Sequence, residues 1–163
     1  MAISNSELGV LVKITGAFET SGETYQSVSG NFDGQGISCG VLQWNIGQGS
    51  LQPLVKAIGK AAVLANMPTK GAEMWTACNA PLKTALGIVQ SWQKNNALLG
   101  TPKSELKALM GSTSMIAQQD SAIREIGALA EDLCAKWVAD RGAGARTLQE
   151  LCWFFDLVTQ NNS

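Results

Sequence analysis

Phe18-Glu19-Thr20-Ser21-Gly22 and, after a gap, Asp33-Gly34-Gln35-Gly36-Ile37-Ser38-Cys39-Gly40-Val41-Leu42-Gln43-Trp44 are the stretches on which the fold turns. The first sets a carboxylate at the end of an apolar helix. The second opens a glycine-rich turn with another carboxylate, 14 residues further on. Two carboxylates in unlike environments are what glycoside hydrolysis requires: one protonated to donate to the leaving oxygen, the other ionised to activate water or stabilise positive charge.

Upstream of Glu19, Leu8, Leu11, Val12, Thr15 and Phe18 are spaced for one buried helical face, which Ser4 or Ser6 can cap. A carboxylate at the C-terminal end of that helix meets the negative pole of the helix dipole, which raises its pKa and suits a general acid. A fraying surface glutamate is the equally weighted alternative. Residues 20 to 50 hold seven glycines, at 22, 30, 34, 36, 40, 47 and 49, among Ser, Thr, Asn and Asp. They read as a loop or small hairpin lobe, with short β-like pieces such as Thr24-Tyr25-Gln26-Ser27-Val28.

From Ser50 onward the pattern is helical. Leu51, Leu54, Val55 and Ile58 start a helix in which Pro53 is tolerated in the first turn. Pro68 and Gly71 end it, and Glu73 to Ala77 form a short helical turn. Leu82, Ala85, Leu86, Val89 and Trp92 mark another helix between Pro81 and Asn95-Asn96, and a short one covers Ser104 to Met110. The longest is expected from Ser114 to Ala139, with the polar Gln119 inside its apolar stripe. After Gly142-Ala143-Gly144, Thr147 can cap a last helix carrying Leu148, Leu151, Cys152, Phe155 and Val158. No repeat or linker suggests a second domain, so 1–163 reads as one unit, and a chain of this length buries roughly 70% of its unfolded surface.

Composition excludes more than it selects. A net charge of −1 with 15% charged residues leaves no basic footprint for nucleic acid. The absence of histidine removes Ser-His-Asp and Cys-His catalysis and most catalytic zinc sites, so acid–base work falls to carboxylates. Cys39, Cys78, Cys134 and Cys152 lack CxxC spacing and read as small buried hydrophobes, with a disulfide left open for a protein acting outside the cytosol. Gly34-Gln35-Gly36 and Gly47-Gln48-Gly49 lack the context of a phosphate loop, and Asp33 with Glu23 is too sparse a set for calcium. No cofactor is expected. The N-terminus has no basic region or cleavage site, and no apolar run approaches the roughly 18 residues of a membrane span. The chain is therefore expected to be made in the cytoplasm without a signal peptide.

The Glu19 segment, the Asp33-Gly34-Gln35-Gly36-Ile37-Ser38 turn, Gly40-Val41-Leu42-Gln43-Trp44 and Phe154-Phe155-Asp156-Leu157-Val158-Thr159-Gln160-Asn161 together resemble the lysozyme superfamily. The branch is the one joining family 46 chitosanases to chitosanase-like peptidoglycan hydrolases of bacteria and phages. The resemblance touches both ends of the chain; residues 60 to 110 add only helical character. It implies a mainly α (α+β) lysozyme-like fold, a helical lobe and a small glycine-rich lobe flanking a glycan cleft. It further implies Glu19 as general acid, Asp33 as base of an inverting reaction, and Ser38, where chitosanases usually have threonine, as the hydroxyl that holds the attacking water.

Around that core, Gln43, Trp44 and Asn45 are candidates to line the sugar site, with Trp44 equally suited to the core. Tyr25 can pack over substrate or serve a hairpin. Glu23 is the rival acid or base, and Gln119, Asp120 and Gln160 are placed to approach from the helical lobe. Asp156 is expected to be part-buried and paired with Arg124, Arg141 or Arg146. The expected activity is muramidase-like hydrolysis of β-1,4 bonds in peptidoglycan, in the periplasm or outside the cell. Chitosan is the competing substrate. A non-catalytic glycan-binding or structural part of a phage tail or secretion apparatus is the competing class. A phage lysin or an injected effector both fit, the latter with a delivery apparatus and an immunity protein as partners.

Overall fold

The computed structural model describes residues 3–19, 25–142 and 144–162, the side chains of 15–19 and 162 excepted. The described residues are 66% helical, in seven helices, with a few short antiparallel strands. α1 (Asn5–Glu19) leads into β1 (Val28–Ser29), β2 (Ser38–Cys39) and β3 (Trp44–Asn45). Then follow α2 (Leu51–Asn66), α3 (Gly71–Asn79), α4 (Leu82–Gln90), the hairpin β4 (Gln93–Lys94) and β5 (Ala97–Leu98), α5 (Gly100–Met110), α6 (Thr113–Asp140) and α7 (Leu148–Asn162).

Local chemistry explains where the helices begin. Ser4 and Glu7 form a reciprocal capping box: the Glu7 N–H donates to Ser4 Oγ at 3.2 Å and the Ser4 N–H donates to Glu7 Oε2 at 2.9 Å. Thr147 and Glu150 repeat the device at α7, with the corresponding bonds at 3.2 and 2.8 Å. Ser112 caps α6 by accepting from the Met115 N–H. At α3 a distant side chain does the work, because Glu105 of α5 accepts the Thr69 and Lys70 N–H groups at 3.0 and 2.8 Å.

α6 is the spine. α7 packs along its C-terminal half, α2 and α5 along its N-terminal part, and α1 contacts both α6 and α7. Its buried stripe, Met115, Gln119, Ile123, Gly127, Ala130, Cys134 and Val138, keeps helical spacing throughout. α2 bends at Gly59, whose φ of 81° and ψ of 157° lie outside the helical region. Trp137, near the end of α6, clusters with Trp153 and Phe154 in the first half of α7, Phe154 meeting both indoles edge-on, and the Arg141 guanidinium lies 3.8 Å from the Trp137 ring centre.

The glycine-rich segment forms a three-stranded antiparallel sheet in the order β1-β2-β3, registering Val28 with Cys39, and Ser38 with both Ser29 and Asn45. Its interior side chains, Ile37, Cys39, Val41, Trp44 and Ile46, join the same core as the helices. No disulfide forms; Cys39, Cys78 and Cys134 are buried thiols and Cys152 is half-buried. Burial pushes the Cys78 thiol up to about 12, so it behaves as a small hydrophobe. No described helix is long and apolar enough to cross a membrane.

One expectation needs correction. Asp156 is exposed and accepts from Gln160 Nε2 one turn on at 3.0 Å, because α7 turns Leu151, Phe155 and Val158 inward and position 156 outward. The half-buried arginine that takes a carboxylate lies elsewhere: Arg146, just before α7, pairs with Glu131 of α6 and donates to Glu7 of α1 at 2.9 Å.

Candidate functional site

The described part of α1 runs as far as Glu19. The Glu19 side chain, and Glu23, lie outside the described residues. Beyond that gap the chain re-enters at Tyr25, which α6 fixes at both ends. Its phenol donates to Asp120 Oδ1 at 2.5 Å, and its carbonyl accepts from Gln119 Nε2 at 3.3 Å. Desolvation, followed by the Asp120 hydrogen bond, pushes the Tyr25 phenol up to about 12, so it remains a donor across the neutral range.

Asp33 stands exposed at the tip of its turn. Gly34 and Gly36 adopt φ of 84° and 88°, and Asp33 Oδ1 accepts the Gln35 N–H at 3.0 Å, an Asx turn. The base of the loop is anchored from the helical side. Gln93 Oε1 accepts the Asn31 N–H at 2.7 Å while Gln93 Nε2 donates to the Gly36 carbonyl at 2.8 Å. A Cβ at Gly36 would come within 2.9 Å of Leu86 and Val89, so the glycine also permits close packing on α4. The Asp33 carboxylate is thus held at the surface by a loop fixed at its base.

Ser38 is 2% exposed within β2, and its carbonyl accepts from Ser29 Oγ at 3.4 Å. Gln43 holds the β2–β3 turn at a φ of 53°, a conformation costing a non-glycine residue roughly 1–2 kcal/mol. Its amide offsets this by donating to the Gly40 carbonyl at 2.9 Å and to Ser27 Oγ at 3.2 Å, and by accepting from Ser29 Oγ. Trp44 is core. Asn45 is buried too, its Oδ1 accepting the Gln48 N–H at 2.8 Å and its own N–H donating to Ser50 Oγ at 2.9 Å.

Gln119 has no exposed surface. It donates to the Met110 carbonyl at 2.9 Å as well as to Tyr25, and its Oε1 accepts the Val41 N–H at 3.4 Å. Among the sequence candidates the structure therefore brings Tyr25, Gln119 and Asp120 together, and sets Ser38 opposite Asn45. Trp44, Asn45 and Gln119 act in this geometry by shaping the β lobe and joining it to α6. Among the described candidates Asp33 and Gln160 are exposed, and Tyr25, Gln43 and Asp120 are half-buried.

Phe32 is a residue that sequence reasoning passed over. It is 72% exposed and immediately precedes Asp33. An aromatic beside a carboxylate in a glycine-rich turn was the available signal. Among the described residues no group of three His, Cys, Asp or Glu side chains is placed to hold a metal. No protein family, curated protein or solved structure matches the chain.

Proposed function

We propose that the chain is a glycoside hydrolase that cuts β-1,4 bonds of peptidoglycan by two-carboxylate acid/base catalysis with inversion. Glu19 is the acid, Asp33 the base and Ser38 the water-holding hydroxyl. The observation that carries the reading is the exposed Asp33 on a loop anchored at its base by Gln93, apart in sequence from a helix whose described residues run to Glu19. A loop separate from the helix is what an inverting pair needs, since its carboxyl groups stand roughly 6.5–9.5 Å apart with water between them. Phe32 offers a ring face to a sugar beside the base.

The burial of Ser38 favours a second reading, a module that binds glycan strands without cutting them. One experiment separates the two. Purified sacculi and chitosan are incubated side by side with wild type and Glu19→Gln, and released fragments are identified by reducing end and anomer. Fragments of α configuration from sacculi, lost in Glu19→Gln, support the proposal. Activity on chitosan alone moves the substrate, and binding without release moves the chain to the second class.

A further inference from the structure

α1 and α6 diverge around a groove of about 340 Å³, within the roughly 300–1,000 Å³ of small-molecule sites. Leu8, Gly9 and Val12 of α1 and Ile123 of α6 give it apolar walls; Asn5, Tyr25, Asp120 and Arg124 bring polar groups to it. We propose that this groove is a saccharide-binding subsite, taking an uncharged N-acetylhexosamine unit of the glycan, and that Gly9 keeps it open.

Four observations support this. The polar groups are already ordered: Tyr25 is fixed to Asp120 at 2.5 Å, and Arg124 Nη1 donates to Asn5 Oδ1 at 2.7 Å. Asp120 Oδ2 accepts no hydrogen bond from the described residues, so an acceptor remains for a sugar hydroxyl, and Arg124 keeps further N–H donors for an acetamido carbonyl. The Asp120 and Arg124 charges cancel, which suits a neutral ring better than a phosphate or an amine.

The fourth is Gly9. It sits mid-helix, where glycine costs about 1 kcal/mol relative to alanine, yet a Cβ there would meet nothing within 4 Å. Neither packing nor backbone geometry demands a glycine, and the space it leaves opens on the groove. Val12 lies seven residues before Glu19, two helical turns or about 10 Å along α1. A glycan strand in the groove would run along α1 toward that position. The proposal rests on the glycan-cutting reading above and extends it to a remote subsite.

The test uses an N-acetylglucosamine tetramer as probe, followed by calorimetric titration and by backbone amide shifts, with wild type, Gly9→Leu and Asp120→Asn. Leucine at position 9 plugs the groove while favouring the helix, so its melting temperature should equal or exceed that of wild type. Expected are shifts at Gly9, Asp120 and Arg124, and at least tenfold weaker binding by both variants. Equal binding by wild type and folded Gly9→Leu overturns the subsite, as does sacculus cleavage by wild type without tetramer binding; both leave the hydrolase reading intact. Absence of both tetramer binding and sacculus cleavage overturns the two together.

Discussion

The Arg146 guanidinium donates to Glu7 Oε1 at 2.9 Å, tying the segment before α7 to the first turn of α1 across 139 positions of sequence. Glu7 is also half of the Ser4 capping box, so one carboxylate serves both the start of a helix and a tertiary link. Hydrogen bonds from Arg146 first, then from Ser4, hold its pKa at about 2, against 4.5 for the free side chain.

A depressed carboxylate pKa stabilises the fold above the unfolded value, and that stabilisation is lost as pH falls toward the folded one. Melting temperature should therefore decline between about pH 4.5 and 2. Glu150, lowered by the Thr147 N–H, contributes in the same direction. Thermal melts of Glu7→Gln over this window should show a shallower decline than wild type. Parallel curves would remove Glu7 from the account.

Arg146 also pairs with Glu131, whose side chain is only 7% exposed. Removing one partner of a buried pair leaves the other charge poorly compensated, at a cost of about 3–5 kcal/mol. Arg146→Met should lower unfolding free energy by about 3 kcal/mol in urea titrations. Adding Glu131→Leu should recover part of the loss, because the buried carboxylate that faced Arg146 is then gone as well.

Gly40 tests the seam between the β lobe and α6. At a φ of 77°, its Cβ would fall 2.5 Å from Gln119 Oε1 and 2.8 Å from the Trp44 ring. Gly34 has a similar φ of 84° but nothing within 4 Å. Gly34→Ala should cost only the left-handed backbone penalty, roughly 1–2 kcal/mol. Gly40→Ala adds a steric clash and the loss of a buried amide's geometry, so its denaturation midpoint should be clearly the lower of the two.

Helices were legible wherever a stripe recurred at three and four residues: α1, α2, α4, α6 and α7 all follow from Leu, Ile and Val spacing, and Thr147 from its place before the last stripe. The β4–β5 hairpin was not. Asn95 and Asn96 marked a helix stop, while their φ values of 52° and 63° make a tight turn between two strands too short to show alternation. α3 begins before its expected start because its cap comes from Glu105, 34 residues beyond Gly71. Asp156 looked buried because its neighbours are apolar, yet helical rotation exposes it; the partner of Arg146 lay on helices that no local pattern connects. At the candidate site, Asp33 and Tyr25 were legible as loop residues, whereas the exposure of Phe32 and the groove beside Gly9 depend on how the elements pack.

Asp33 offers the sharpest separation of chemistry from scaffold. Its Oδ1 accepts the Gln35 N–H, a contact that an asparagine carbonyl oxygen reproduces. Asp33→Asn should therefore keep the turn and the wild-type melting temperature while deleting the negative charge. If Asp33 is the base, fragment release from sacculi should fall by about 10²–10⁴, with glycan binding little changed. Phe32→Ala should do the reverse, weakening binding while sparing turnover at saturating substrate, since an exposed ring contributes contact rather than proton transfer. Unaltered release by a folded Asp33→Asn would reduce Asp33 to a turn-forming residue and require another group to activate the water.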